Sequence, residues 1–193
     1  MTVFDTLTLT LIGHTVTATA EEQGEQAPTA GPLERTVWGV WVAVNGKPLF
    51  GDRVVSDVLA TLFDAANTGE LTLLSCSCGV PECAGFMEPV RVQVRPCEQA
   101  TQGWVVDWHL PVEGYGRCVL KDWGEGPWAF RFERAQVLAE LERFSQSLAA
   151  QHERTGPLYL SPSEPFCEFE KPLAKLGQML AQAREHRMSW PEA

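Results

Sequence analysis

Val90-Arg91-Val92-Gln93-Val94 and Trp104-Val105-Val106-Asp107-Trp108-His109-Leu110 are the two segments that decide the predicted fold. In both segments, apolar residues recur at every second position, and the positions between them are polar or charged except for Val105, a pattern typical of a β-strand with one buried face. The intervening residues 96–103 have the composition of a turn. We therefore predict an antiparallel hairpin at the centre of the chain.

Similar alternation predicts strands before and after this hairpin. Residues 3–11 and 15–19 favour a first hairpin that turns at Ile12-Gly13-His14. Residues 37–44 form an apolar, β-rich run followed by Asn45-Gly46, the pair most typical of a type I′ turn. Shorter strands are predicted at 71–74, 117–121 and 128–132.

Helical periodicity is present in three segments, 52–67, 133–152 and 171–188, the last with the thinnest apolar stripe. The predicted class is therefore α+β, an antiparallel meander-like sheet with two or three helices packed on its faces. We predict a single domain over residues 1–155. Residues 156–193 are predicted to add a connector and a C-terminal helix to the same domain.

The chain has 193 residues and a net charge of −10, from 25 acidic and 15 basic side chains. Without a basic run, direct nucleic-acid binding is not expected, because it requires phosphate neutralisation. The charge permits a basic protein partner, although acidity can also serve solubility alone. No apolar run has the length of a membrane span, so we expect a cytoplasmic protein; the oligomeric state is left open.

Three of the six cysteines, Cys76, Cys78 and Cys83, lie within eight residues of a Gly- and Pro-containing segment. Thiolates are preferred ligands of Zn²⁺, and a curled backbone can bring them around one ion. The spacing differs from paired C-x₂-C knuckles, so two alternatives stay open. These are buried structural thiols, and disulfide or redox chemistry, although a reducing cytoplasm disfavours stable disulfides.

His109 is the favoured fourth zinc ligand. In the predicted hairpin it lies opposite roughly residue 90, near the start of the strand that follows the cysteines, and Asp107 could orient its imidazole. The alternative is a surface histidine on a charged face. Cys118 is the reserve ligand, whereas Cys97 is expected at the far end of the hairpin. Cys167 is isolated in the connector.

The segment from Leu73 to Phe86, followed by alternating valines and by residues 104–108, resembles one set of bacterial proteins. These uncharacterised proteins carry a CxCG…C-small-G loop, and some resemble immunity or defence-associated proteins. The resemblance covers roughly residues 36–145 and supplies no catalytic residues. It implies a small cytosolic bacterial protein that acts by binding.

No G-x-S-x-G, H-E-x-x-H, P-loop or G-x-G-x-x-G motif occurs in the sequence. Our hypothesis is a non-enzymatic binding protein, in its specific form an immunity-type inhibitor of a basic partner, with a structural zinc site. The alternative is an enzyme or redox protein that uses the Cys76–Cys83 segment.

Overall fold

The computed structural model describes residues 3–18, 33–49, 68–73, 88–112, 120, 123–156, 158, 178 and 181. These residues form two antiparallel sheets and one long helix. The first sheet contains β1 (Leu7–Ala18), β2 (Leu33–Val44) and β3 (Lys47–Pro48). The second contains β4 (Glu70–Leu71), β5 (Val90–Pro96), β6 (Trp104–Leu110) and β7 (Trp128–Glu133), and α1 spans Arg134–Thr155.

The α+β class is confirmed, with strands that follow sequence order in two sheets rather than in one. In the described part of the chain, one of the three predicted helices is seen, the one predicted at 133–152. The helix predicted at 52–67 lies outside the described residues, and so does the one predicted at 171–188, apart from the helical positions 178 and 181. So do most of the strand predicted at 117–121 and nearly all of the appended segment 156–193.

The predicted hairpin around Gly13 is wrong. β1 runs straight through this glycine and pairs with β2 over twelve residues, from Leu7 opposite Val44 to Ala18 opposite Leu33. A Cβ atom at Gly13 would lie 3.0 Å from Cζ3 of Trp38, its cross-strand neighbour. Glycine is therefore explained here by the aromatic ring that packs across it, and not by a turn.

The type I′ turn between β2 and β3 is confirmed. Asn45 and Gly46 have φ angles of 53° and 74°, and both central residues of this turn type require positive φ. The Asn45 side chain also bonds outside the turn, because its Oδ1 accepts a 2.8 Å hydrogen bond from the Thr6 amide. This turn consequently fixes the point at which the chain enters β1.

The predicted central hairpin is formed by β5 and β6, with Val92 opposite Trp108 and Val94 opposite Val106. β7 pairs with the other side of β6, so Trp108 lies opposite Phe130. One face of this sheet packs into the core, and the Trp108 and Phe132 rings meet edge to face at 5.0 Å. The alternating pattern of the sequence thus separates a buried face from a polar face.

α1 places one apolar stripe against the core, formed by Val137, Leu141, Phe144 and Leu148. The helix ends at Gly156, which has a φ of 73° and donates its N–H to the His152 carbonyl at 2.8 Å. No helix in the described residues combines the length and the apolarity that crossing a membrane requires.

Asp5 connects the two sheets. Its backbone forms a parallel bridge beside β7, where its N–H donates to the Arg131 carbonyl at 2.7 Å. The Asp5 carboxylate accepts from the Arg131 amide and from the Asn45 side chain, both at 2.7 Å. The chain therefore covers part of the free edge of β7 before it continues into β1.

Side chains of α1 occupy the free edge of β1, the edge that faces away from β2. Gln136 accepts from the Leu7 amide at 3.3 Å and donates to the Leu7 carbonyl at 2.7 Å. Glu140 accepts from the Leu9 amide at 2.5 Å, and Arg143 donates to the Leu9 carbonyl while pairing with Glu140. These side chains supply the bonds that a further strand would otherwise make.

Candidate functional site

The polar face of the second sheet is the best-defined functional candidate, and we call it the outer face. Its side chains point away from the core on alternate positions of β5, β6 and β7. They are Arg91, Gln93, Arg95, Val105, Asp107, His109, Ala129, Arg131 and Glu133. Because the strands are paired in fixed register, these side chains form three short rows across the sheet.

Asp107 is the centre of the outer face. Its side chain is only 6% exposed, and its two oxygens accept from Nε of Arg95 at 2.5 Å and Nε of Arg131 at 2.7 Å. The two arginine side chains are 42% and 44% exposed, so each contacts both the buried carboxylate and the solvent. One buried carboxylate thereby holds two exposed guanidinium groups in place.

The protonation of Asp107 is determined by opposing effects. Burial alone would raise the pKa of this carboxyl, but the hydrogen bonds and charges of Arg131 and Arg95 outweigh it and lower the pKa. The hydrogen bond to Asp107 raises the pKa of Arg131 in turn. Asp107 and Arg131 therefore stay charged at neutral pH.

Acidic groups alternate with the basic groups at the margins of the outer face. Glu70 of β4 lies opposite Arg91 in the strand pairing. At the other end, the Glu133 carboxylate accepts from the Thr101 amide at 2.8 Å and from its hydroxyl at 2.9 Å. The outer face is consequently a mixture of both charge signs and not a basic patch.

His109 lies at the end of the sheet at which β5 begins. It pairs with Arg91 on one side and with Ala129 on the other, and it is exposed. The predicted position opposite roughly residue 90 is confirmed. The Asp107 oxygens accept from the two arginines, so the expected role of Asp107 in orienting the His109 imidazole is not observed.

The predicted cysteine ligands Cys76, Cys78 and Cys83 lie outside the described residues, as do the reserve Cys118 and the isolated Cys167. Their proximity to His109 therefore stays a prediction. Described positions 73 and 88, which flank the cysteine segment, follow β4 and precede β5 at the same sheet end as His109. No group of three or more potential metal ligands occurs within the described residues.

Cys97 lies at the opposite end of the hairpin from His109, as expected. Its N–H donates to the Gly103 carbonyl at 2.9 Å, and its free thiol lies 3.2 Å from Oε1 of Gln99. It is therefore separated from His109 by most of the length of β5, which removes it from the candidate metal ligands.

The alternation in the sequence predicts Asp107 on the polar face but does not indicate its two arginine partners. These ion pairs can be inferred only once the strand register is known. In that register, Arg131 lies directly opposite Asp107, and Arg95 lies diagonally across from it. No protein-family model, curated protein or solved structure matches the chain.

Proposed function

We propose that the protein is a non-enzymatic binding protein whose partner is another protein. The observation that carries this proposal is the outer face, where a buried carboxylate fixes two exposed arginines on one face of a sheet. Exposed side chains on one face of a sheet suit a macromolecular partner better than a small substrate, which is usually bound in a concave site.

The fixed arginines favour binding for an entropic reason. A mobile surface arginine loses rotamer freedom when a partner immobilises it, and this loss opposes association. Arg95 and Arg131 have lost part of that freedom already, because each is bonded to Asp107 in the free protein. Arginine is also among the side chains that contribute most to protein interfaces.

We further propose that the partner is basic. The outer face contains both charge signs, so the long-range attraction would arise from the net charge of −10 of the whole chain. The resemblance of the segment from Leu73 to Phe86 suggests the specific form, an immunity-type inhibitor of a basic cytoplasmic protein. Such an inhibitor would act by covering its target.

The test uses the product of the neighbouring gene in the native host as the purified partner. Arg91→Ala removes an exposed guanidinium group from the outer face without touching the pairs of Asp107, and it should weaken binding about tenfold. Arg154→Ala, on α1, is the matched control and should bind as the wild type does. Equal affinities of all three proteins would contradict a binding role for the outer face.

Salt dependence tests the charge of the partner separately. Because exposed charges are screened over about 10 Å at 0.1 M ionic strength, the association rate should fall steeply as salt is added. An association rate that does not change with salt would contradict a basic partner. The binding role of the outer face would still be tested by the Arg91 and Arg154 variants.

A structural Zn²⁺ bound by Cys76, Cys78, Cys83 and His109 is the second part of the proposal. The exposed imidazole of His109, at the sheet end that flanks the cysteine segment, supports it. Protein purified without added metal should contain about one equivalent of zinc by elemental analysis. Cys78→Ser should lose the metal, whereas Cys167→Ser should retain it.

His109→Ala distinguishes the two candidates for the fourth ligand. Lower zinc affinity in this variant would support His109, while unchanged affinity would favour Cys118. Metal-free protein that is folded and unaffected by a strong chelator would contradict the zinc site. Metal-free protein with rapidly reacting thiols would instead support the alternative function, an enzyme or redox protein.

A further inference from the structure

The free edge of β1 differs along its length. Leu7 and Leu9 direct their edge N–H and C=O groups to side chains of α1. The same alternation directs the edge groups of Leu11, Gly13, Thr15 and Thr17 away from β2. We call residues 11–17 of this strand the outer segment. Within the described residues, no hydrogen bond reaches its edge groups.

The composition of β1 does not protect this edge. Natural proteins protect exposed edge strands with charged side chains, prolines or bulges. The stretch from Thr6 to Ala20 contains no charged residue and no proline, and it is the longest uncharged stretch in the chain. β2, by contrast, carries Glu34 and Arg35 near its own start. Among the strand edges that the structure describes, the outer segment is therefore the best suited to accept another strand.

The outer segment also lacks the support that a stable ribbon needs. In the described residues, β1 and β2 form a two-stranded ribbon here, since β3 pairs only with Ala43 and Val44. Two-stranded hairpins are at best marginally stable in water. An additional strand would satisfy the free backbone groups and widen the sheet.

We propose that the outer segment pairs antiparallel with the same segment of a second copy, which makes the protein a two-fold symmetric dimer. The net charge of −10 favours an uncharged strand as the contact between two copies, because the chains repel one another wherever their carboxylates approach. An uncharged strand avoids that repulsion. Two-fold symmetry also gives hydrogen bonds to the free backbone groups of both copies, since the same residues form the interface in each copy.

The number of available edge groups determines the register. Pairing Leu11 with Thr17 of the second copy, and Gly13 with Thr15, uses all four outward-facing residues of each strand. His14 then lies opposite His14 of the second copy, on the two-fold axis. Any shift of register would either leave edge groups without a partner or require displacement of the α1 side chains at Leu9.

A matched pair of proline variants tests the interface. Thr15 and Thr36 lie opposite each other in the β1–β2 register, and their N–H groups point to opposite edges of the ribbon. Thr15→Pro removes a donor from the proposed interface, whereas Thr36→Pro removes one from the edge of β2. Neither change removes a hydrogen bond between β1 and β2.

The measurement is the molar mass in solution by light scattering or sedimentation over a range of protein concentrations. The wild type and Thr36→Pro should be dimers. The Thr15→Pro dimer should have a Kd about 100-fold higher, because each hydrogen bond lost in one copy is also lost in the other. A monomeric wild type would overturn the proposal, as would a Thr15→Pro dimer of unchanged Kd or selective dissociation of Thr36→Pro.

Hydrogen exchange of the wild-type protein provides a test that does not depend on the folding of any variant. The Gly13 and Thr15 amides should be protected at concentrations above the Kd and should exchange faster on dilution below it. The Leu9 amide, bonded to Glu140 within one chain, should show no such dependence. Equal protection of the Gly13 and Thr15 amides at all concentrations would contradict the dimer.

Discussion

The first residues of β1 and its outer segment belong to one strand that pairs with β2. Their free edges differ, because only the first residues have that edge hydrogen-bonded by α1. At Leu7 and Leu9, side chains of α1 bond the edge and the leucines are buried in the core. Residues Gly13 to Thr15 are exposed. A strand of uniform, uncharged composition can thus be part of the core at one end and a candidate interface at the other.

The largest expected difference between the two parts is in core packing. Leu9 is fully buried, so Leu9→Ala should lower the free energy of unfolding by about 3 kcal/mol, through lost burial and the cavity left behind. Leu11, two residues further, is half-buried, and Leu11→Ala should cost about 1 kcal/mol. Urea denaturation measures both, and equal losses would show that the core extends into the outer segment.

Asp107, a buried carboxylate that bonds two side chains, can be compared with Glu140, a half-buried carboxylate that bonds a strand edge. Asp107→Asn should destabilise the protein by about 2 kcal/mol at neutral pH, because two guanidinium groups lose their charged acceptor. Glu125→Gln, in an exposed turn, is the control and should change stability by less than about 0.5 kcal/mol.

The effect of Asp107 depends on pH in a defined direction. The folded-state pKa of this carboxyl is lowered from its ordinary value of 3.8. Its contribution is therefore present above that value and is lost as the pH falls through the lower folded-state pKa. The stability difference between wild type and Asp107→Asn should narrow below pH 3.8 in acid denaturation. A difference that stays constant down to about pH 2 would contradict this assignment.

Removal of the carboxylate that bonds the edge of β1 should have a smaller effect. Glu140→Ala leaves the Leu9 amide without its acceptor and Arg143 without its ion pair, at an expected cost of about 1.5 kcal/mol. The Leu9 amide should then exchange faster with solvent. Glu153→Ala, on the exposed side of the same helix, should change neither quantity.

The smallest expected effect is that of Gly13→Ala. The new methyl group would lie 3.0 Å from the Trp38 ring and 3.1 Å from Cγ2 of Thr36, so the ring must shift. The lower entropy of the unfolded alanine chain offsets part of this cost, and we expect a net loss of about 0.5 kcal/mol. The shift of the ring should be visible in the indole NMR signals, and unchanged signals would contradict the proposed packing.

Local patterns were sufficient to predict the hairpin of β5 and β6, the strand β7 and α1. The alternation in β5 and β6 determined their pairing, and with it the position of His109 opposite the start of β5. The apolar stripe of α1 gave its extent to within a few residues. In each case the signal lies within the element itself or in a short hairpin, so no distant contact was needed to read it.

The first sheet and the centre of the outer face depend on contacts that sequence order does not reveal. Gly13 suggested a turn, because the Trp38 ring that packs across it belongs to a strand predicted to be separate. The partners of Asp107 come from two other strands, and those of Leu9 come from a helix more than 120 residues later. Such contacts require the three-dimensional register, which alternation alone does not supply.

The bonds between residues 5–9 and residues 131–143 have a consequence for the synthesis of the chain. They connect residues separated by 126 to 134 positions, so β1 leaves the ribosome well before its helix and its β7 neighbour are made. At about 5–20 residues per second, this wait is on the order of 10 s. During it, the uncharged stretch from Thr6 to Ala20 is available to other nascent chains. Pairing between neighbouring copies could therefore begin on the polysome, before either copy is complete.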